Sequence, residues 1–332
     1  MSFLPTKKKI VFENTYFSLF IYVLLDDDWQ NSDYIFWGNR FTLNCVKRMA
    51  NTVNVLECSY HYLPRIIPKL NKAPVQYFKR KIEQKQIFRS YDICVGNARE
   101  INNPLINIDR VQIDDGVGTT HVELAKGPKK NSVLSRFLSR LVLKEATKIS
   151  KIEKFYLSQD IEVKAEFKEK IEVLDLTALW AEKTEEQRAQ ILELFDVDAN
   201  EFECFDSRYS VLFTQPLNEV ISGYSEQSKV DGYKTLLKNL DIDESKLIIK
   251  PHPADQTDYT VHFPHASVLR PSFPAEIMSL LGMEADKVIT LTSTAVELFR
   301  HSSREVVYAK APDYFKLPEK RAKAFNSLDF KK

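Results

Sequence analysis

Two short stretches hold residue types that could do chemistry, and each sits where an apolar run stops. The first is Lys246-Leu-Ile-Ile-Lys-Pro-His-Pro253. Its paired isoleucines read as a short buried parallel strand. Prolines on both sides of His252 restrict its backbone and forbid a helix at once. The imidazole therefore stands on a stiff loop at the strand's carboxyl end, directly after Lys250, and that edge is where ligands bind in open α/β sheets. The second stretch is Arg110-Val-Gln-Ile-Asp-Asp-Gly116, a strand that ends in two carboxylates and a glycine able to turn sharply. Adjacent strand residues point to opposite faces, so only one of Asp114 and Asp115 can face a given pocket. Asp-Gly is also an ordinary turn dipeptide, so this stretch alone selects no reaction.

Three more features bear on the same chemistry. Pro271-Ser-Phe-Pro-Ala-Glu276 places a carboxylate in the first turn of a helix that opens on proline. Leu291-Thr-Ser-Thr294 sets the hydroxyls of Thr292, Ser293 and Thr294 where a strand ends and a helix begins. Free N–H groups and the positive dipole end at such a site suit a phosphate or carboxylate. Plain N-capping explains the hydroxyls equally well, and dipole compensation explains Glu276. Phe213-Thr-Gln-Pro-Leu217 closes a further strand ahead of the histidine. All of these lie at predicted strand ends or helix starts that would line one crevice.

The elements needed to hold these residues are present in order. Lys9-Ile-Val-Phe12, Asp33-Tyr-Ile-Phe-Trp37, Thr52-Val-Asn-Val-Leu56, Asp92-Ile-Cys-Val-Gly96 and Arg110 to Ile113 alternate with helical stretches, the pattern of βαβ units in a parallel sheet. Strands near Lys154 to Leu157 and Ile171 to Leu174 close this half. A helix from Thr184, its N-cap, to Phe195 leads into the polar segment Asp196 to Arg208, where the boundary is placed. A second alternation begins at Tyr209-Ser-Val-Leu-Phe213 and continues through the strand before His252, Ala266 to Leu269, Lys287 to Leu291 and Glu305 to Tyr308. The expected architecture is α/β with two Rossmann-like domains, 1–200 and 201–310, and a helical tail over 311–332. Basic stretches at Pro64 to Arg89 and Lys126 to Lys148 carry interleaved apolar residues. They read as helices that either pack on the core or rest on an anionic membrane surface.

Composition narrows the class. The 332 residues suffice for two domains, and 44% hydrophobic with 28% charged residues fits a soluble globular chain. A net charge of +1 gives no bulk attraction for nucleic acid. Eight glycines are few for a glycine-rich nucleotide cradle. Cys45, Cys58, Cys94 and Cys204 form no Cys-x-x-Cys pair, which argues against a structural metal or a disulfide framework and fits reduced thiols. The apolar run Phe17 to Leu25 ends at Asp26-Asp-Asp28, too short to span a bilayer and followed by no cleavage site. The expected location is cytoplasmic.

Taken together, the motifs resemble those of bacterial sialyltransferases of the two-domain GT-B class, chiefly glycosyltransferase family 52, with relatives in families 80 and 38. Asp114-Asp115-Gly116 resembles that group's acidic-acidic-glycine motif, His252-Pro253 its His-Pro motif, and Ser293-Thr294 its Ser/Thr pair. Glu276 is similar to the acid that holds the nucleotide ribose. The Phe-Thr-Gln-Pro-Leu stretch and the Lys-Pro-His-Pro form look most like family 52. Some members take their base from elsewhere, so Asp231 in Val230-Asp-Gly232 competes with Asp114 and Asp115.

The resemblance implies an inverting sialyltransferase with CMP-sialic acid as donor, a lipooligosaccharide or capsule-type glycan as acceptor, and no resident cofactor or metal. A carboxylate from Asp114 or Asp115 would take the acceptor proton. Protonated His252 with the Ser293 and Thr294 hydroxyls would stabilise the leaving phosphate. Asp196-x-Asp198 and Asp241-x-Asp243 look like metal-binding Asp-x-Asp pairs but sit in polar segments, where they read as caps or solvated loops. A peripheral contact with anionic membrane and a homodimer both fit this reading. Two rivals stay open: a GT-B enzyme with another cytidine-linked donor, transferring Kdo or glycerophosphate, and a catalytically silent glycan-binding protein on the same scaffold.

Overall fold

Apolar runs of four to six residues become the strands of two parallel sheets. A computed structural model describes residues 4, 7–37, 41–56, 73–101, 106–115, 124 and 152–317. The chain divides into two units, Met1–Leu194 and Phe195–Lys332. The first unit carries β1 (Lys9–Glu13), β2 (Asp33–Phe36), β3 (Asn54–Val55), β4 (Ile93–Gly96), β5 (Asp109–Ile113), β6 (Ile152–Leu157) and β7 (Ile171–Val173). Their order is β3-β2-β1-β4-β5-β6-β7, with every pair parallel. Ile10, Val11 and Phe12 on β1 have no exposed surface, as expected of a strand covered on both faces, and this is why the run is continuously apolar instead of alternating.

The apolar stretch after β1 folds into the helix Tyr16–Leu25, buried almost all round, which is the mark of a core helix. Thr15 caps it by accepting from Ser18 N at 3.1 Å. It stops at Asp26, whose carboxylate takes Lys9 Nζ at 2.5 Å and the Tyr22 hydroxyl at 2.8 Å. A helix the alternation does not announce, Leu176–Glu182, packs on it through the Phe20 and Trp180 rings, 6.2 Å apart. Lys183 anchors the same corner by pairing with Asp27 at 2.5 Å. The next helix, Glu185–Phe195, opens on a reciprocal capping box. Thr184 Oγ1 accepts from Gln187 N at 3.2 Å, and Gln187 Oε1 accepts from Thr184 N at 3.0 Å. Among the described residues no helix is long and apolar enough to cross a membrane.

The second unit carries β8 (Ser210–Phe213), β9 (Leu247–Lys250), β10 (Ser267–Val268), β11 (Ala285–Thr290) and β12 (Ser303–Tyr308) in the order β10-β9-β8-β11-β12. All pairs are again parallel. Its core packs Leu212, Ile249 and Ile289 from the sheet against Tyr233 and Leu236 from the helix Glu226–Asn239. Fully burying such aliphatic side chains contributes roughly 1.5–3 kcal/mol each. Gly232 on that helix has a packing reason: a Cβ there would come within 2.4 Å of the Phe315 ring.

In both sheets the strand order runs one way from the first strand and the other way after it. Each sheet therefore has a switch point, between β1 and β4 in the first unit and between β8 and β11 in the second. Ligand crevices of doubly wound sheets open outside the carboxyl ends of those strands. Of the two basic stretches, Ala73–Phe88 is helical, while 57–72 and the 126–148 segment lie outside the described residues, as does the tail 318–332.

Candidate active site

Register puts Thr290, Phe213 and Lys250 side by side across β11, β8 and β9, so the loops leaving these strands emerge on one edge. The loop after β9 carries His252, half-buried, and a buried polar network holds it. Asp255 N donates to the His252 carbonyl at 2.8 Å. Thr214 Oγ1, just past β8, accepts from His252 N at 3.3 Å and donates to Asp255 Oδ2 at 2.7 Å. The Tyr259 hydroxyl donates to the same oxygen at 2.8 Å. Lys229 Nζ reaches Asp255 Oδ1 at 2.6 Å, and neither side chain is exposed. A buried carboxylate persists only when paired and hydrogen-bonded, and Asp255 meets both conditions while pinning the turn that aims the imidazole.

Ala254 N donates to His252 Nδ1 at 3.0 Å. A ring nitrogen that accepts carries no proton, so the ring hydrogen sits on Nε2. With Nδ1 accepting, the ring presents Nε2–H as its donor. Pro253 is half-buried in the turn just beyond.

Lys250 points inward. Its Nζ donates to the carbonyl oxygens of Pro251 and Pro271, each at 3.2 Å, and lies 4.3 Å from the centre of the Phe273 ring. Burial pulls the amine down to about 7; the nearby Glu276 carboxylate opposes the shift and Arg270 adds to it. Glu276, 6% exposed, opens the short helix Glu276–Leu280. At the end of β11, Thr290 Oγ1 accepts from Thr292 N at 3.2 Å and Ser293 N at 2.9 Å. Ser293 Oγ accepts from Ala295 N at 3.3 Å and so caps the 3-10 helix Thr294–His301, leaving its O–H to donate.

On the first sheet, β5 delivers the two aspartates to different environments, as adjacent strand positions must. Asp114 has no exposed surface; its Oδ2 accepts from Ser158 N at 3.0 Å and Ser158 Oγ at 2.7 Å, tying β5 to the end of β6. The Asp115 side chain retains 10% exposure and takes Arg99 Nη2 at 2.6 Å. Gly116 lies outside the described residues. Asp231 is exposed on the helix Glu226–Asn239, where it accepts from Gln227 Nε2 at 2.8 Å.

The switch point of this sheet holds a residue that the motifs leave unmarked. Glu13 ends β1 with no exposed surface. Its Oε1 accepts from Ser18 Oγ at 2.8 Å, whereas Oε2 has no hydrogen-bond partner among the described residues. Burial pushes this carboxyl well above the usual range, with Ser18 opposing and Asp115 adding to the rise. Gly96 makes room for it: φ is +103°, and a Cβ would stand 2.3 Å from Glu13 Oε1, so both backbone and space demand glycine. Asn97 joins this group by donating from Nδ2 to Asn14 Oδ1 and accepting from Gln112 Nε2 at 3.2 Å. The only sequence signals for Glu13 and Asp255 were an acid closing an apolar run and an acid three places after His252.

Three of the four Asp-x-Asp carboxylates are committed elsewhere. Asp198 accepts from Asn200 N at 3.0 Å and Asp243 from Ser245 N at 3.0 Å, each as a helix cap. Asp196 pairs with Arg270 at 2.6 Å. Among the described residues no group of three or more His, Cys, Asp or Glu side chains is arranged to hold a metal.

With this geometry in hand, relationships to known proteins are informative. Residues 109–311 match the signature of Glycosyltransferase family 52. An uncharacterised protein of Haemophilus influenzae is 28% identical over 283 residues, covering 83% of this chain and 86% of its own length. An alpha/beta-galactoside alpha-2,3-sialyltransferase from the luminous marine bacterium Photobacterium phosphoreum has a similar fold, with a TM-score of 0.54 at 9% identity over 90% of this chain and 89% of that one. So does a 2,6-sialyltransferase of a Photobacterium species, in ternary complex with donor product CMP and acceptor substrate lactose, with a TM-score of 0.56 at 10% identity over 90% and 71%. The GT-B domain of a Photobacterium damselae sialyltransferase gives 0.51 at 12% identity over 86% of each chain. Identities this low carry the fold, which is GT-B. The family match spans more than half of the chain and includes both motif-bearing edges, so the chain belongs to glycosyltransferase family 52 and is a glycosyltransferase.

Proposed function

We propose that this glycosyltransferase moves sialic acid from CMP-sialic acid to a glycan hydroxyl with inversion at the anomeric carbon. The observation that carries the reading is the held His252 ring: Ala254 N fixes Nδ1 as acceptor and leaves Nε2–H as the ring's donor, on a loop that leaves the same sheet edge as the one carrying Ser293. In the step, the acceptor oxygen attacks the anomeric carbon as the bond to the phosphate oxygen breaks, and CMP leaves with that electron pair. Asp115 takes the acceptor's proton, since Asp114 is enclosed and its Oδ2 holds the backbone N–H and hydroxyl of Ser158. His252 Nε2–H and the Ser293 hydroxyl donate to the leaving phosphate as its charge grows. One displacement inverts the centre.

The donor's single phosphate suits hydroxyl and imidazole donors, so the reading needs no divalent ion, and Asp196, Asp198 and Asp243 are taken up in an ion pair and two caps. Glu276, Pro253, Thr292 and Thr294 are assigned to the nucleotide. Lipooligosaccharide or capsule-type glycans are the acceptor class that this reading favours, with the basic stretches turned toward such an acceptor or an anionic membrane.

A ligand that binds only the folded state raises the melting temperature by mass action. CMP is expected to stabilise the protein more than CDP or UDP; a preference for CDP would favour glycerophosphate transfer, and a response to oligosaccharide alone would favour the silent binder. His252→Ala is expected to lower kcat by about 10²–10³-fold with circular dichroism and melting temperature unchanged. Undiminished transfer would reject its role.

A further inference from the structure

Lys250 sits where two loops with candidate donor-site residues leave the second sheet, yet it is only 2% exposed. One acceptor, the Pro251 carbonyl, immediately precedes His252. The other, the Pro271 carbonyl, opens the loop that runs to Glu276. Phe273, within that second loop, covers the amine with its ring face at 4.3 Å, a geometry that favours a cation. A long flexible side chain thus closes a bridge between two segments some twenty residues apart in the chain, with no surface left to meet a ligand. We propose that Lys250 is the positioning residue of the donor site, a buried amine that ties the His252 loop to the Glu276 loop and never touches the donor itself. The inference rests on the functional reading above only in calling those loops the donor site.

The charged groups that face Lys250 are the Glu276 carboxylate and the Arg270 guanidinium. Arg270 is drawn outward by Asp196 at 2.6 Å and Glu201 at 3.1 Å. Lys229, on the helix Glu226–Asn239, is paired with Asp255 and Glu219, and His252 on the adjoining loop accepts through Nδ1. Glu276 is therefore the group whose placement responds to the charge on Lys250. As pH rises through about 7 the amine loses its proton, one donor is lost, and Glu276 loses the positive charge facing it. Donor affinity should weaken over that interval. The linkage to stability has the opposite sign. Between about 7 and the ordinary lysine value of 10.5 the unfolded chain binds the extra proton, so folding stability rises with pH there and is lost as pH falls through about 7.

The test is Lys250→Met, which keeps the stem and removes the amine. The expected result is a loss of CMP affinity of tenfold or more and a raised donor KM with a smaller change in kcat, while the melting temperature at pH 7 does not fall. The wild-type to variant affinity ratio should shrink from pH 6 to pH 9, a comparison from which CMP's own phosphate ionisation cancels. Wild-type affinity in the variant, or a ratio flat across that range, overturns the proposal. Amide hydrogen exchange makes the same test without a ligand: the segments 251–257 and 271–276 should lose protection together in K250M, and protection unchanged in both overturns the tie. If the wild type binds no nucleotide, the sialyl-transfer reading has failed, and the exchange result alone decides the role of Lys250. Should the variant not fold, the proposal falls unless wild-type CMP affinity itself declines above pH 7.

Discussion

Asp115→Asn should lower kcat by about 10²–10⁴-fold, the range for loss of a general base, with little effect on CMP affinity, and it should also cost some stability because it takes the carboxylate out of the pair with Arg99. Asp114→Asn should cost stability and leave kcat nearly unchanged, because its carboxylate is the one that accepts both the N–H and the hydroxyl of Ser158. Replacing an oxygen acceptor by an amide leaves those buried donors facing N–H groups, at a cost of about 1–3 kcal/mol. The physical distinction is exposure and partner. Asp114 is fully enclosed between two strands, whereas Asp115 keeps an open side and a charged partner, Arg99, at 2.6 Å. An arginine beside a carboxylate favours its ionised form, the form that can accept a proton. Steady-state kinetics on both variants, with chemical denaturation alongside, check the pair. Equal losses of kcat would mean that the base is not selected by this geometry, and Asp231, exposed on its helix, would then be the next residue to replace.

Asp255→Ala should unfold the second unit's edge. It leaves the Lys229 ammonium, in a site without exposed surface, to the more distant Glu219 carboxylate at 3.7 Å, and breaking a buried pair from one side costs up to about 3–5 kcal/mol. Against total stabilities of about 5–15 kcal/mol, that is a large fraction. It also removes the acceptor for Thr214 and Tyr259, so the His252 turn loses both of its props. CMP affinity should fall with stability. Adding Lys229→Met should return much of the lost stability, because the uncompensated charge goes with it, but should not return CMP affinity, since Thr214 and the turn remain unsupported. Denaturation midpoints at unchanged slope measure the first effect and calorimetric titration the second. A single variant that costs no more than an ordinary surface change would show that Asp255 does not hold the loop.

Much of this architecture was legible because parallel strands buried on both faces are written as short apolar runs: Lys9 to Phe12, Ser210 to Phe213 and Leu247 to Lys250 could be found from composition alone. The motif residues were legible because prolines and glycines mark the places where those runs stop. The helix Leu176–Glu182 was not, since its buried stripe of Leu176, Leu179 and Trp180 covers only a single turn, too short for periodicity to separate helix from strand. Glu13 reads as the start of a turn until the sheet brings Gly96 beside it. The roles of Thr214, Lys229 and Asp255 depend on partners 26 to 41 positions apart, a separation no local pattern encodes. Even the tautomer of His252 turns on one backbone amide, Ala254 N, whose direction is set by the turn and not by the residue's identity.

The most direct measurement is nucleotide release from a panel of activated sugars in the presence of galactose-terminated glycans. CMP-sialic acid should release CMP with one sialylated glycan formed per nucleotide, and UDP-sugars, CMP-Kdo and CDP-glycerol should stay intact. Release from one of the others, or CMP-sialic acid left untouched, would contradict the account.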